Sequence, residues 1–275
     1  MTFEDILYRV EDGVAVITLN RPDKLNAWRR EMDRDVRTAM RAAADDHAVR
    51  VIILTGAGRG FCAGADMSML QAIQSDAADG NGSTAGPTPE AFDTSAREDF
   101  RKQYSWFPTV PKPIIAAING ACAGLGLVLS LYADIRFAAS SAKFTTAFSR
   151  RGLVAEHGVS WLLPRLIGFA DAADLLYSAR TINGEEAHRL GLVSRTYPAE
   201  TFEEDVMSYA RMLANEVSPR SLREMKRELW NAQFQSLGDA IESANADMPG
   251  SFESEDFKEG VAHFVEKRAP RFTGR

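Results

Sequence analysis

The chain has 275 residues, 45% of them hydrophobic and 25% charged, with a net charge of −6. That length supports one large domain or a domain with an appendage and excludes a mini-protein stapled by disulfides. The acidic balance argues against a general binder of nucleic acid or of anionic membranes. The only two cysteines, Cys62 and Cys122, lie among small residues and read as buried thiols of a reducing cytoplasm. The first ten residues lack the basic start and apolar stretch of a secretory signal, and no run approaches the roughly 18 apolar residues of a membrane span. A soluble, cytoplasmic protein is expected.

"ILYRV" and "VAVITLN" flank Asp12-Gly13, a dipeptide suited to a tight hairpin, so the chain is expected to open with two β-strands. Between Arg29 and Ala43, Met32, Val36, Met40 and Ala43 recur at helical spacing. Arg30, Arg34, Arg37 and Arg41 form a second stripe, and the interspersed Glu31, Asp33 and Asp35 make it an ion-paired, solvated face rather than a phosphate site.

"VRVIILTGAGRGFCAGADMSML" and "KPIIAAINGACAGLGLVLSLYAD" then repeat one plan of β-branched strand, glycine-rich turn and helix start. The plan predicts an α/β architecture with strands buried on both faces. Neither turn spells a dinucleotide or P-loop fingerprint, since Phe61 and Leu129 stand where a final glycine would fall. Between the two units, "QSDAADGNGSTAGPTPEAFDTSAR" reads as a mobile surface insertion, taken to span about residues 71–97. From Asn183 onward helical patterns dominate, as expected of a helical assembly region.

The four histidines are scattered, with no H-E-x-x-H and no C-x-x-C, so no metal site is expected. No G-x-S-x-G marks a serine hydrolase. What remains are the turns "CAGAD" and "ACAGLGL". The first N–H groups of a helix are unpaired donors, and two such turns face to face would supply two donors to one oxygen, an oxyanion hole. Glycines that only allow close helix–strand packing would give the same spelling.

Taken together, "NRPDKLNAW", "GAGRGFCAGADM", "KPIIAAINGACAGLGLVLSLYADIRFAASSAKF", "GLVAEHGVSWLLPRLIG", "INGEEAHRLGLVSRTYP" and "EGVAHFVEKRAPRF" resemble the crotonase superfamily, the enoyl-CoA hydratase/isomerase family, from Asn20 to Phe272. The resemblance implies a spiral of ββα units over residues 1–200 and a C-terminal helical trimerisation region over 201–275. It implies a homotrimer, often paired into a hexamer; the acidic charge and the lack of a long apolar run set the expectation of no DNA or membrane partner. The substrate would be an acyl-CoA thioester whose carbonyl oxygen sits between the N–H groups of Ala65 and Leu125. Coenzyme A would be part of that substrate, with no further cofactor. By the same resemblance, Lys24, Leu25 and Ala27 would lie near the coenzyme. Ala63, Asp66, Met67 and Gly124 would border the acyl group, and Phe264 and Lys267 would reach coenzyme A, in some members from a neighbouring subunit. The family more often has glycine where Leu125 stands, so the leucine side chain has to point away from the thioester. Asp66 has a competing role as a helix N-cap.

The family's hydratases hold water between two glutamates, but Val128 and Phe148 occupy the matching positions here. Glu156, in "GLVAEHGVSWLLPRL", instead matches the lone Asp or Glu of family isomerases that shift a 3-enoyl to a 2-enoyl thioester. One carboxylate suffices to shuttle a proton while the oxyanion hole holds the enolate. Val154, Val159 and Trp161 are expected to bury Glu156 and strengthen it as a base. His157 is expected to support it by hydrogen bonding, substrate contact or helix capping. The alternatives are a hydratase in which Glu156 works with His157 or a held water, and a non-catalytic CoA- or RNA-binding scaffold using the Arg30–Arg41 stripe.

Overall fold

Asp12 and Gly13 both take positive φ, 50° and 79°. They fold β1 (Ile6–Glu11) back on β2 (Val14–Leu19) as an antiparallel hairpin closed at the Glu11–Val14 pair. The computed structural model describes residues 2–78 and 91–275. After α1 (Arg30–Asp45), three successive strand pairs follow: β3 (Val51–Gly56) with β4 (Gly60–Cys62), β5 (Ile114–Ile118) with β6 (Ala121–Ala123), and β7 (Ile135–Ala139) with β8 (Lys143–Thr145). Each pair gives one strand to each of two sheets and is followed by helix, respectively α2 (Met67–Ala78), α3 (Leu125–Leu131), and α4 (Val159–Ile167) with α5 (Phe169–Ser178). β9 (Ile182–Asn183), α6 (Gly184–Arg189) and β10 (Arg195–Tyr197) complete the spiral.

The larger sheet has the order β1-β2-β3-β5-β7-β10 and is parallel from β2 onward. The smaller has the order β4-β6-β8-β9, with only the β8–β9 pair antiparallel. All five residues of β5 are buried, as a parallel strand covered on both faces requires. The return of β10 to the sheet interrupts the helical stretch expected from Asn183 onward.

α7 (Phe202–Glu216) buries Phe202, Val206, Met207, Ala210, Leu213 and Ala214 at helical spacing and packs against β2, β3, β5 and β7. The boundary drawn at residues 200/201 therefore cuts through one hydrophobic core. α8 (Pro219–Ala232) is pinned to the same layer by Lys226, whose ammonium lies 2.8 Å from Asp134 and donates to the Lys112 carbonyl. Asp134 also accepts from Trp230 Nε1 and from the Ile114 N–H. α9 (Leu237–Glu253) and α10 (Glu255–Glu266) follow, and the tail returns so that Arg50 donates to the Phe272 carbonyl.

The insertion expected over 71–97 divides differently. Residues up to Ala78 continue α2. At the far end Phe92 stacks on Trp106 and the Arg97 guanidinium covers Phe234, so this end is docked. The remainder lies outside the described residues. In the arginine stripe, the exposed Arg34 pairs with the exposed Glu4 and with the buried Asp35. Arg37 departs from a solvated face: its side chain is 12% exposed, lies 3.3 Å from Asp33 and sits over Trp106. Among the described residues no helix is long and apolar enough to cross a membrane.

Candidate active site

β4 and β6 run parallel with Cys62 opposite Cys122, so the two glycine-bearing turns leave the smaller sheet side by side. Trp28 forms a parallel bridge with Ala65: its N–H donates to the Gly64 carbonyl at 2.8 Å and its carbonyl accepts from the Asp66 N–H at 2.9 Å. In that pattern the intervening Ala65 N–H faces the other way, and it meets no protein acceptor among the described residues. In the second turn, Gly124 (φ 49°, ψ −117°) swings the chain into α3, and Leu125 is the first helical residue. Its N–H is one of the donors that a helix start leaves unpaired. A Cβ on Gly64 would stand 3.8 Å from the Leu125 nitrogen, which puts the turns in direct contact. The Leu125 side chain is 7% exposed and belongs to the core, so its bulk is turned inward.

Lys24, Leu25, Ala27 and Ala63 come together on one loop edge. Leu25 and Asn26 adopt left-handed φ, 48° and 55°. Asn26 is fully buried with its side chain satisfied, accepting from the Arg21 N–H and donating to the Ala57 and Gly60 carbonyls. The loop closes on the first turn through the Ala63 N–H, which donates to the Leu25 carbonyl at 3.0 Å. Lys24 is exposed at its tip and Met67 is 58% exposed at the start of α2.

Asp66 caps α2. Its Oδ1 accepts from the Ser68 N–H and hydroxyl, and its Oδ2 lies 2.8 Å from Arg21. The Ser68 backbone and hydroxyl donors, with Arg21, hold the Asp66 carboxyl down to about 2. Because that value lies below the unfolded one, the stabilisation is complete above about pH 4 and is lost as pH falls toward 2. Asp66→Ala should therefore cost about 1 kcal/mol at neutral pH. Urea midpoints of variant and parent should converge as the medium is acidified through that window.

Val128 and Phe148 are buried and apolar, 0% and 6% exposed, so neither position supplies an acid or base. Glu156 lies in the loop before α4. The expected burial is not found: its side chain is 35% exposed and Val154 is 76% exposed, because the chain runs outward after Gly152 before Gly158 starts the helix. Only Val159 and the half-buried Trp161 turn inward. Glu156 is thus a partly exposed carboxylate.

His157 has φ 53°, its Nε2 is 3.3 Å from Glu156 Oε2, and its carbonyl accepts from the Tyr132 hydroxyl at 2.8 Å. Tyr132 caps the C-terminus of α3, the helix whose first residue is Leu125. Seven helical residues span about 10 Å, so α3 fixes the loop of Glu156 relative to the paired turns. Tyr104, 5% exposed, makes a second link. Its ring meets Trp28, which frames Ala65, at 6.4 Å and His157 at 4.7 Å, both edge-on.

Phe264 and Lys267 are not brought to this place by contacts within the chain. They lie at the exposed end of α10, Phe264 79% exposed and Lys267 at the left-handed C-cap. Sequence reasoning passed over Tyr104, Tyr132, Arg21 and Asn26. The dense aromatics of "YSWF" after the insertion were the one available signal for Tyr104.

A two-sheet α/β spiral whose adjacent turns carry unpaired N–H donors is the class that fold and geometry define. The family model described as Enoyl-CoA hydratase/isomerase matches residues 9–275. A 1,2-epoxyphenylacetyl-CoA isomerase of Escherichia coli K12 is 36% identical over 99% of both chains. A probable enoyl-CoA hydratase of Rhodobacter capsulatus is 36% identical over the whole of both. A crystal structure of a putative enoyl-CoA hydratase from Streptomyces coelicolor A3(2) superposes with a TM-score of 0.86 at 34% identity, covering 100% of this chain and 96% of that one. The chain belongs to the enoyl-CoA hydratase/isomerase family of enzymes, within the crotonase superfamily.

Proposed function

We propose that the protein is an acyl-CoA isomerase that moves a double bond from the 3- to the 2-position of a thioester, with Glu156 as sole acid and base. The observation that carries this reading is Glu156 on a loop joined to the end of α3 through the Tyr132–His157 hydrogen bond, while Val128 and Phe148 are buried and apolar. The Ala65 and Leu125 N–H groups would take the thioester oxygen, and losing one such donor typically costs about 3 to 4 kcal/mol of transition-state stabilisation. Glu156 removes a proton from the α carbon, the electron pair moves onto the thioester oxygen, and the same carboxyl returns the proton at the γ carbon. The reaction is redox-neutral, so coenzyme A enters with the substrate and nothing else is required.

Lys24, Leu25 and Ala27 lie where a coenzyme could run past Ala63, while Gly124 and Met67 border the acyl group. Asp66 is committed to capping and to Arg21, which favours a structural role for it. Offered a 3-enoyl-CoA, the purified protein should raise the ultraviolet absorbance of the conjugated thioester. A falling signal from a 2-enoyl-CoA, with water added and no isomerisation, would replace this reading by hydration.

α8 to α10 carry exposed Leu229, Leu237, Ile241, Phe252, Phe264 and Val265, each more than half exposed in the single chain. Apolar surface on that scale favours a trimer that covers it and places Phe264 and Lys267 against a neighbour's substrate. Sedimentation should give three, or six, times the 30.2 kDa chain mass. A monomer would contradict this arrangement. Two buried, unpaired thiols suit a reducing compartment.

A further inference from the structure

We infer that Arg21 is a positioning residue: its guanidinium staples the loop of Lys24, Leu25 and Ala27 to the first turn and so aims the Ala65 N–H, an inference that rests on the reading of that N–H as a thioester donor. One nitrogen does the joining. Arg21 Nη1 donates to the Ala27 carbonyl at 2.5 Å and lies 2.8 Å from Asp66 Oδ2. Ala27 immediately precedes Trp28 and Asp66 immediately follows Ala65, so the guanidinium spans the Trp28–Ala65 bridge.

That bridge needs a support. It stands outside both sheets and is held by two hydrogen bonds, from the Trp28 N–H to the Gly64 carbonyl and from the Asp66 N–H to the Trp28 carbonyl. So short a pairing is marginal in water when nothing backs it. Both partners of the Arg21–Asp66 pair are largely buried, which limits its screening by salt, and the guanidinium is always charged. The Ser68 donors and Arg21 hold the Asp66 carboxyl down to about 2, so the pair is intact at neutral pH.

The surrounding bonds narrow the role to the turn. Asp5 lies 3.9 Å from Arg21 Nε but is already engaged by Arg29 at 2.6 Å. The loop itself is held by Asn26, which accepts from the Arg21 backbone N–H and donates to the Ala57 and Gly60 carbonyls. A side-chain exchange at Arg21 keeps those bonds, so Lys24 and Leu25 stay seated while Ala27 and Asp66 lose their tie. An N–H group stabilises a developing oxyanion only where it is aimed, and a misplacement of about 1 Å can cost about 10²-fold in rate.

The test uses the full-length protein, a 3-enoyl-CoA, and free coenzyme A as a competitive inhibitor. Arg21→Met keeps an unbranched apolar stem and removes the charged fork. Asp66→Asn keeps an Oδ1 acceptor for Ser68 and removes the charge that meets Arg21. Each should lower kcat by about tenfold to a hundredfold, while the inhibition constant of coenzyme A moves by less than about twofold. The double variant should fall no further than the deeper single one, as two groups acting as a unit require. A folded Arg21→Met protein with parental kcat would overturn the inference, as would losses that multiply in the double variant or a loss confined to coenzyme A binding. Should Arg21→Met fail to fold, Asp66→Asn decides by the same split. Amide hydrogen exchange over the peptide from Ala63 to Ser68 should quicken in either variant, and unchanged exchange contradicts the staple. A parent that leaves 3-enoyl-CoA untouched removes the isomerase reading, and the amide exchange then decides the staple by itself.

Discussion

Glu156→Gln should lower turnover of a 3-enoyl-CoA by about a hundred- to ten-thousand-fold while leaving coenzyme A affinity intact. The substitution keeps the shape of the side chain and removes the capacity to take a proton. The two positions that carry acids in family hydratases cannot substitute, and neither can Asp66. Val128 and Phe148 are buried and apolar, and Asp66 is held by Ser68 and Arg21. A two-carboxylate hydratase would retain a second group, so a modest loss would point to a base elsewhere. Because the side chain is 35% exposed, the exchange should leave the free energy of unfolding within about 0.5 kcal/mol of the parent. Loss of activity can therefore be read as chemistry.

Gly126→Ala is expected to be strongly damaging. The added carbon would lie 2.1 Å from the Cys62 carbonyl oxygen and 2.8 Å from its Cβ, both on a buried strand. Alanine ordinarily favours a helix over glycine by about 1 kcal/mol, but overpacking against backbone costs about 3 kcal/mol or more, so the clash wins. Thermal unfolding should fall by roughly 5 to 10 °C. The surviving folded fraction should be slow, since separating α3 from β4 moves the Leu125 N–H away from Ala65. Gly238→Ala makes the matched control. In α9 its new carbon meets only the Ser236 hydroxyl at 3.7 Å, and the same exchange should there be neutral or stabilising by about 0.5 kcal/mol. Equal effects at the two glycines would contradict the packing assigned to α3.

What could be read in the sequence was what local chemistry determines. Asp12-Gly13 demands a turn, and the turn is there. The repeated strand–turn–helix plan gave two glycine-bearing turns, which the structure sets side by side, and the family resemblance named Ala65 and Leu125 on them, while their chemical role stands as a proposal. Periodicity found α7 as an amphipathic helix but could not say what its apolar face covers, so it was grouped with the outer helices instead of the sheet. The division of each strand pair between two sheets was equally hidden, because three-residue strands such as β4 and β6 carry no period. Glu156 was expected to be buried from its neighbours in sequence. Val154 points outward, and apolar neighbours along a loop share no common face. Tyr104 and Tyr132 escaped notice for a related reason: they act on His157 across 53 and 25 positions of chain, and nothing local marks such contacts.

The most direct test of a lone carboxylate forming an enolate is hydrogen exchange at the α carbon, followed by mass spectrometry in deuterated water. An arylacetyl-CoA serves, since its α protons are acidic and it has no double bond to move. The parent should exchange α hydrogen for deuterium and Glu156→Gln should not. Exchange that persists in the variant would place the base elsewhere and contradict the mechanism proposed for this site.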